Sequence, residues 1–415
     1  MSSRIVVPAP PKVVPVPKAR PMTGARAIAE AVKLADVDVI AAYPIRPYTG
    51  IMNAIAEMLA NGEFKAEFLV ADSEHSQFEI VKHASAVGAR VFVGSSGVGL
   101  IYATEAIIVI PMNRLPVIAI AGCRALDDPG NFGMEWNDAL LYRDTGWLIS
   151  WAKDAQEALD MTIVAYRVAE DHRVLLPHFI AVDGATITHI AAPVEVPPKE
   201  RVTEFLPPYK PPYPLDPAFG PVTKAQHIAP GLIGPEQRKG VDIAMKNARE
   251  VIIEAWKDYE RYVERHYEPF VETYYMDDAE LALVTMGAYT INAIKTAEIA
   301  RKEGIKAGVV RLRYFRPFPY WDLRKVLADV KGIGVLDFSY SLGSTENGGV
   351  LYGELKSALY ETGPKPMLDY LFLGGREPKV EHFIKALKIL EDYVRTGKTP
   401  NNKRVFWLTL RGEDI

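Results

Sequence analysis

Short apolar segments alternate with longer segments of helical periodicity along most of this 415-residue chain. Asp38 to Tyr43, Val91 to Val93 and Pro116 to Ala121 read as buried strands, and stretches with apolar residues at helical spacing separate them. This alternation is typical of a largely parallel sheet that helices cover on both faces. The sequence therefore predicts an α/β fold.

A proline-rich stretch divides the pattern into two α/β units. Twelve prolines fall between Pro193 and Pro235, a density that marks a linker or an arm along the protein surface. A long amphipathic helix is predicted after it, from Gly240 to about Tyr267. The expected parts are an extended arm (1–21), a first unit (22–192), the crossing and long helix (193–277), a second unit (278–394) and a tail (395–415).

Composition excludes several classes of protein. The 48 basic and 52 acidic residues give a net charge of −4, whereas nucleic-acid binders usually carry a basic excess. The single cysteine, Cys123, excludes an intrachain disulfide framework, an iron–sulfur cluster and a multi-cysteine zinc site within this chain. The sequence lacks both an apolar run of about twenty residues and a signal-type N-terminus, so we expect a cytoplasmic protein without a membrane span.

Three charged residues follow predicted strands, at the sheet edge where cofactors usually bind. Arg46 lies between two prolines, which stiffen its loop and suit a guanidinium that binds a carboxylate, although a surface arginine would show the same pattern. Glu74 begins a predicted helix, where its carboxylate either favours the helix N-terminus or points into a cofactor crevice. Arg124 follows the strand that ends at Ala121, either as a ligand-binding residue or as the partner of nearby aspartates.

Two glycine-rich turns also precede predicted helices. Gly97-Val98-Gly99 is like the first half of a dinucleotide fingerprint, but Tyr102 stands where the third glycine belongs. This argues against an NAD-dependent dehydrogenase and favours a simple tight turn at the ligand-binding edge. The segment from Gly343 to Gly349 either cradles a phosphate or simply starts a helix.

Several motifs occur together and in one order, and through them the chain resembles the α subunits of the 2-oxoacid:ferredoxin oxidoreductase family. The resemblance is strong over residues 22–184 and looser over 281–388. The motifs are Tyr43-Pro44-Ile45-Arg46-Pro47, Ser73-Glu74-His75-Ser76, Arg124-Ala125-Leu126, Arg143-Asp144-Thr145-Gly146-Trp147, Asp183-Gly184 and Arg316-Pro317-Phe318-Pro319.

The resemblance implies a pyrimidine-binding domain of the thiamine diphosphate enzyme type, followed by a domain similar to the transketolase C-terminal domain. Glu74 would hydrogen-bond the N1′ atom of the cofactor's aminopyrimidine, and the Gly97-Val98-Gly99 turn would line the cofactor site. Arg124 would bind the substrate carboxylate. Arg46 and Tyr48 are expected to contact the substrate too.

Partner subunits are implied by the same resemblance. In this family a β subunit usually holds the diphosphate and Mg²⁺ through a Gly-Asp-Gly motif, which this sequence lacks. Electrons would leave through iron–sulfur clusters on other subunits, because one cysteine cannot hold a cluster. We expect a dimerised complex with β, γ-type and ferredoxin-like subunits, and CoA as co-substrate where an acyl group is formed.

The expected substrate is a 2-oxoacid other than pyruvate, because Arg46 stands where pyruvate enzymes usually carry threonine. A second cation suits oxalate, and a guanidinium also stacks on aromatic rings, as in an arylglyoxylate such as phenylglyoxylate. The residues do not decide between these two. A pyruvate-type subunit and a non-catalytic scaffold subunit are the alternatives.

Overall fold

The computed structural model describes residues 18–126, 131–224 and 232–412. Most of the arm expected over residues 1–21 therefore lies outside the described residues. The elements up to the proline-rich crossing are β1 (Arg20–Thr23), α1 (Gly24–Leu34), β2 (Val39–Ala42), α2 (Thr49–Ala60), β3 (Glu67–Val70), α3 (Glu74–Val87), β4 (Val91–Ser95), α4 (Val98–Tyr102), α5 (Thr104–Met112), β5 (Ile118–Cys123), α6 (Asn137–Leu140), β6 (Leu148–Trp151), α7 (Ala155–Ala169), β7 (His178–Asp183), α8 (Gly184–Thr188) and β8 (Ala191–Val194).

The crossing and the second unit contain the remaining described helices and strands. They are α9 (Lys199–Phe205), α10 (Gly234–Val263), β9 (Val271–Tyr274), β10 (Leu281–Thr285), α11 (Thr290–Lys302), β11 (Ala307–Leu312), β12 (Tyr314–Arg316), α12 (Tyr320–Val326), β13 (Gly332–Asp337), α13 (Val350–Leu359), β14 (Met367–Leu371), α14 (Val380–Thr396) and β15 (Val405–Trp407).

A seven-stranded sheet with the order β12-β6-β7-β5-β4-β2-β3 forms the centre of the first unit. The strands from β6 to β3 run parallel, and β12 pairs antiparallel with β6. β4, β5, β6 and β7 are buried along their whole length, which explains why their sequences are apolar without alternation. α7 is buried on nearly every residue because it packs against both α1 and α10.

A six-stranded sheet with the order β15-β14-β13-β10-β11-β9 forms the second unit. Its strands are parallel except β9, which pairs antiparallel with β11. The predicted α/β class is therefore confirmed, with two largely parallel sheets that each include one antiparallel strand.

Three elements differ from the expectation. The residues expected to form an extended tail contribute β15, because Phe406 is buried and its strand pairs with β14. The long helix begins earlier and ends earlier than predicted, since α10 spans Gly234–Val263. β1 pairs antiparallel with β8, so the described end of the arm is part of a two-stranded sheet.

The two units share buried contacts. β12 belongs by sequence to the second unit, yet it completes the edge of the first sheet. Glu157 on α7 accepts hydrogen bonds from Arg311 and Arg313, and all three side chains are fully buried. Asp183, at the end of β7, accepts a hydrogen bond from the backbone N–H of Ala288 in the second unit. None of the helices within the described ranges has the length and apolar composition needed to cross a membrane.

Candidate functional site

Most of the predicted site residues lie at one edge of the first sheet. β5, β4, β2 and β3 are neighbours and run parallel, so the segments that leave their carboxyl ends meet there. Arg46 follows β2, Glu74 follows β3, the Gly97 turn follows β4 and Arg124 follows β5. We call the depression between these segments the crevice.

Glu74 is the first residue of α3, and its side chain is only 8% exposed. The helix cap is supplied by Ser73, whose hydroxyl accepts a hydrogen bond from the backbone N–H of Ser76 at 3.1 Å. A Cβ atom added at Gly99 would lie 2.6 Å from Oε1 of Glu74, so the carboxylate lies directly against the backbone of that glycine. No hydrogen bond to this carboxylate is found in the part of the chain that the structure describes, which leaves it available to a ligand.

Further buried polar atoms in the segments around this edge lack partners. Among the described residues, Oγ of Ser95, Oγ of Ser96, Oε1 of Gln77 and Nε of Arg124 make no hydrogen bond. Leaving a buried polar group unsatisfied costs roughly 1–3 kcal/mol, so four of them at one edge indicate a place for a polar ligand. A thiamine-type cofactor fits these donors and acceptors better than an apolar ligand would.

The turn between β4 and α4 requires glycine. Gly97 has φ +51°, and a Cβ atom there would lie 2.4 Å from Nε of Arg124. Gly99 supplies the space beside Glu74, whereas the side chain of Val98 is 44% exposed and points away from the core. The turn therefore brings Arg124 and Glu74 to the same crevice.

Arg124 is buried apart from a small part of its side chain. Its Nη1 donates a hydrogen bond to the backbone oxygen of Arg46 at 3.0 Å, and its guanidinium lies 5.0 Å from the ring centre of Phe132. Burial lowers the pKa of Arg124, and the negative charges of Asp138 and Glu74 oppose that effect. The cation is therefore held at the crevice, where a carboxylate ligand would compensate its desolvation.

Arg46 and Tyr48 occupy opposite environments. The side chain of Arg46 is exposed, and its guanidinium makes no hydrogen bond within the described ranges. Tyr48, expected to contact the substrate, is instead fully buried, with its ring where a side chain at Gly94 would have to lie. The structure thus places Tyr48 in the core, not on the crevice surface, because glycine in β4 leaves room for an aromatic ring.

Sequence reasoning missed Asp138, at the start of the short helix α6. Its Oδ2 accepts hydrogen bonds from the backbone N–H groups of Gly97 at 2.9 Å and Arg124 at 3.1 Å, and its Oδ1 accepts one from Ala139 at 2.8 Å. Burial raises the pKa of Asp138 to about 6, although these N–H groups act to lower it. A lone aspartate has no spacing signature, so the sequence carried no signal for this role.

The backbone amides at the end of the Gly343–Gly349 turn and the start of α13 bind side chains of the protein itself. The N–H of Gly349 donates to Asp369 at 2.7 Å, that of Val350 to Ser339 at 3.0 Å and that of Tyr352 to Asp337 at 3.1 Å. Buried side chains of the same unit therefore occupy the start of α13. Of the two readings of this turn, the simple helix start agrees with these contacts.

Two protein-family models match the chain. Residues 30–257 match the model described as pyruvate flavodoxin/ferredoxin oxidoreductase, thiamine diP-binding. Residues 279–383 match the pyruvate:ferredoxin oxidoreductase core domain II. The first match covers more than half of the chain and contains every residue of the crevice.

Curated relatives match over nearly their whole length. Pyruvate synthase subunit PorA of Pyrococcus abyssi is 38% identical over 395 residues, which are 94% of this chain and 98% of the relative. Ketoisovalerate oxidoreductase subunit VorA of Pyrococcus horikoshii is 36% identical over 392 residues, with the same coverage of 94% and 98%.

Two solved structures share the fold. The 2-oxoglutarate:ferredoxin oxidoreductase of Magnetococcus marinus, solved with 2-oxoglutarate, coenzyme A and succinyl-CoA, aligns with TM-score 0.66 and 18% identity. That alignment covers 89% of this chain and 65% of the other. A split-gene transketolase aligns with TM-score 0.52 and 12% identity over 89% of this chain and 98% of the other. At these identities the likeness concerns the fold alone.

Proposed function

We propose that the crevice is half of a thiamine diphosphate site, because the chain belongs to the 2-oxoacid:ferredoxin oxidoreductase family as an α-type subunit. The chain is thus part of an oxidoreductase that acts on oxo groups with a ferredoxin acceptor. The observation that carries the proposal is the Glu74 carboxylate, which is buried against Gly99 without a hydrogen-bond partner among the described residues. Bound thiamine diphosphate supplies the electron sink that decarboxylation of a 2-oxoacid requires.

In this proposal the Glu74 carboxylate would hold a proton between itself and the pyrimidine nitrogen N1′ of the bound cofactor. A carboxylate is the right partner because it accepts a strong hydrogen bond from a protonated ring nitrogen in a site shielded from water. Gly99 has no side chain, so Oε1 of Glu74 and Oγ of Ser95 both pack directly against its backbone. The unpaired hydroxyls of Ser95 and Ser96 are further candidates for contacts with polar ligand atoms.

Arg124 is assigned to the substrate carboxylate. Its main chain is fixed by Asp138 and its Nη1 by the backbone of Arg46, which leaves Nε without a partner in the described residues. A guanidinium that is partly desolvated and fixed in orientation binds a carboxylate with little loss of side-chain freedom. The substrate class that follows is a 2-oxoacid.

The diphosphate and Mg²⁺ would come from a partner subunit that covers the crevice. Apolar side chains on α4 and β3 are exposed there, including Tyr102 at 65% and Val70 at 63%. Exposed apolar patches mark interaction sites, and this chain has no Gly-Asp-Gly motif of its own. We propose a diphosphate-binding β subunit on this patch and iron–sulfur clusters on γ-type or ferredoxin-like subunits, with CoA as acyl acceptor.

An aliphatic 2-oxoacid is now the first candidate for the substrate. The curated relatives are named for pyruvate and ketoisovalerate, whereas oxalate and the aromatic 2-oxoacid expected from Arg46 find no support among them. One observation keeps those two as second candidates. The Arg46 guanidinium is exposed and unpaired within the described ranges, so it is free to meet a second carboxylate or an aromatic ring.

The test of the cofactor role is Glu74→Gln in the assembled complex. Turnover is expected to fall by about 10²–10⁴-fold, the usual contribution of one proton-transfer group, while size-exclusion chromatography shows the same complex. Glu57→Gln, a matched change at an exposed glutamate of α2, is the control and should keep normal turnover. Near-normal turnover of the assembled Glu74→Gln complex would remove Glu74 from catalysis and favour a scaffold subunit.

The test of the substrate is turnover of the complex on pyruvate, ketoisovalerate, oxalate and phenylglyoxylate, with and without CoA. Arg46→Thr should change the ratio of kcat/KM between the preferred substrate and pyruvate by about tenfold or more if Arg46 selects the substrate. An unchanged ratio across all four acids would exclude Arg46 as a selector and leave the cofactor proposal intact.

A further inference from the structure

The segment formed by Trp136, Asn137 and Asp138 connects the crevice to the second unit. Toward the second unit, the N–H of Trp136 donates to the backbone oxygen of Phe338 at 2.8 Å. The Asn137 side chain forms a pair of hydrogen bonds with the backbone of Tyr340, at 2.9 Å from Nδ2 and 2.8 Å to Oδ1. Trp136 and Asn137 thus make three hydrogen bonds with the second unit, directly before Asp138 in the chain.

Toward the crevice, the next residue joins two loops that are far apart in sequence. The single oxygen Oδ2 of Asp138 accepts the N–H of Gly97, from the turn after β4, and the N–H of Arg124, from the loop after β5. The carboxylate is fully buried, where hydrogen bonds to a charged acceptor are strong and leave little freedom to either loop.

The two loops that Asp138 joins contact each other at the guanidinium of Arg124. A Cβ atom at Gly97 would lie 2.4 Å from Nε of Arg124, so the guanidinium already rests on the Gly97 backbone. A shift of either loop would move the guanidinium relative to Glu74. The neighbouring Cys123 thiol donates to the backbone oxygen of Ala121 at 3.5 Å, and burial together with the negative charges of Asp138 and Asp183 raises its pKa.

We propose that Asp138 is a positioning residue for substrate binding: it holds Arg124 in register with Glu74, and Asn137 ties it to the second unit. This inference rests on the proposed function, since it acts through Arg124. It gives the second unit a part in the reaction without a residue of its own in the crevice, because the docking of that unit orients the segment that carries Asp138.

The test is a double-mutant cycle in the purified complex, with Asp138→Asn, Arg124→Ala and both together. Asparagine keeps the size of the side chain but removes its charge and replaces one acceptor oxygen with a donor. Either the N–H of Ala139 or the N–H groups of both Gly97 and Arg124 lose their bond, and the bonds that remain go to a neutral, weaker acceptor. We expect Asp138→Asn to raise KM for the 2-oxoacid by about 10–100-fold while kcat changes less than about fivefold. In the Arg124→Ala background the same change should have no further effect on KM.

Asp216→Asn is the matched control, because Asp216 also accepts a backbone N–H, that of Ala218, but is exposed in the proline-rich crossing. Its KM should equal that of the wild type. If Arg124→Ala alone leaves KM unchanged, the substrate role of Arg124 fails. If Arg124→Ala raises KM and Asp138→Asn either leaves KM unchanged or adds its full effect in the double variant, the positioning role of Asp138 is overturned while that of Arg124 stands.

Asn137→Ala tests the same connection without altering the buried carboxylate. It removes the pair of hydrogen bonds to Tyr340, and we expect KM to rise about three- to tenfold with the cofactor affinity unchanged. A wild-type KM in the assembled Asn137→Ala complex would overturn the part assigned to the second unit, also in the case where Asp138→Asn does not assemble.

Discussion

Replacing Glu157 with glutamine should weaken the junction between the two units more than any exposed carboxylate would. Oε1 of Glu157 accepts from Nη1 of Arg311 at 2.7 Å and from Nε of Arg313, and Oε2 accepts from Nη2 of Arg311 at 2.7 Å. Glu272 also approaches both guanidinium groups, at 3.3 and 3.5 Å, and pairs with Lys153. Glutamine would leave two fully buried cations with one partly exposed carboxylate.

The magnitude follows from two independent arguments. Breaking a buried ion pair by removing one partner costs about 3–5 kcal/mol. Burial alone would raise the pKa of Glu157, but Arg311 and Arg313 outweigh it and lower the pKa to about 2. At 1.36 kcal/mol per pH unit, that lowering corresponds to about 3 kcal/mol. Because Glu272 supplies part of the compensation, we expect the lower figure, about 3 kcal/mol.

The assay is urea unfolding of the full-length chain followed by circular dichroism, between pH 7 and pH 3. The folded pKa is lowered, so the contribution of Glu157 is complete above its ordinary pKa and is lost as pH falls toward about 2. The difference between wild type and Glu157→Gln should therefore shrink with acid. Glu280→Gln, at an exposed ion pair with Lys331, is the control and should leave the midpoint unchanged. A midpoint of Glu157→Gln equal to that of the control at pH 7 would refute the reasoning.

Two further predictions concern the crevice and the buried histidine. Gly99→Ala should lower turnover of the complex by at least about tenfold without loss of assembly, because the new methyl group would meet Oε1 of Glu74 at 2.6 Å. The control is Gly353→Ala in α13, where a Cβ atom meets nothing within 4 Å, and this variant should keep full turnover. Burial lowers the pKa of His178 to about 3. The contribution of His178 to the free energy of unfolding is therefore complete above its ordinary pKa, and it falls by about 2 kcal/mol when the pH is lowered to 5. His178→Gln should flatten the pH dependence of the unfolding free energy between pH 7 and pH 5; an unchanged slope would contradict this.

Much of the crevice could be predicted from the sequence because parallel strands impose it. Once the strands before Arg46, Glu74, Gly97 and Arg124 were placed in one parallel sheet, their carboxyl ends had to lie at a common edge. The structure brings these four residues to that edge. Their chemical roles stay predictions, since only the comparison with related subunits assigns the family.

What the sequence could not show depends on contacts between distant residues. Tyr48 was expected to contact the substrate from the family resemblance, but Gly94 in another strand leaves the space that buries its ring. β15 is different, because the short apolar run from Val405 to Leu408 is itself a strand signal, and its pairing with β14 makes most of that run a strand. Asp138 has no motif, because its function lies in two backbone N–H groups that no sequence pattern marks.

The junction explains why the crevice needs the second unit even though that unit contributes no residue to it. Without β12, the first sheet would expose the backbone of β6 along one edge. Without Arg311 and Arg313, Glu157 would be a buried and unpaired carboxylate in the most buried helix of the first unit. Asp183 would lose its hydrogen bond from Ala288 in the same way. Since α7 packs against β5, the strand that leads to Arg124, the position of Arg124 depends on a junction formed by both units.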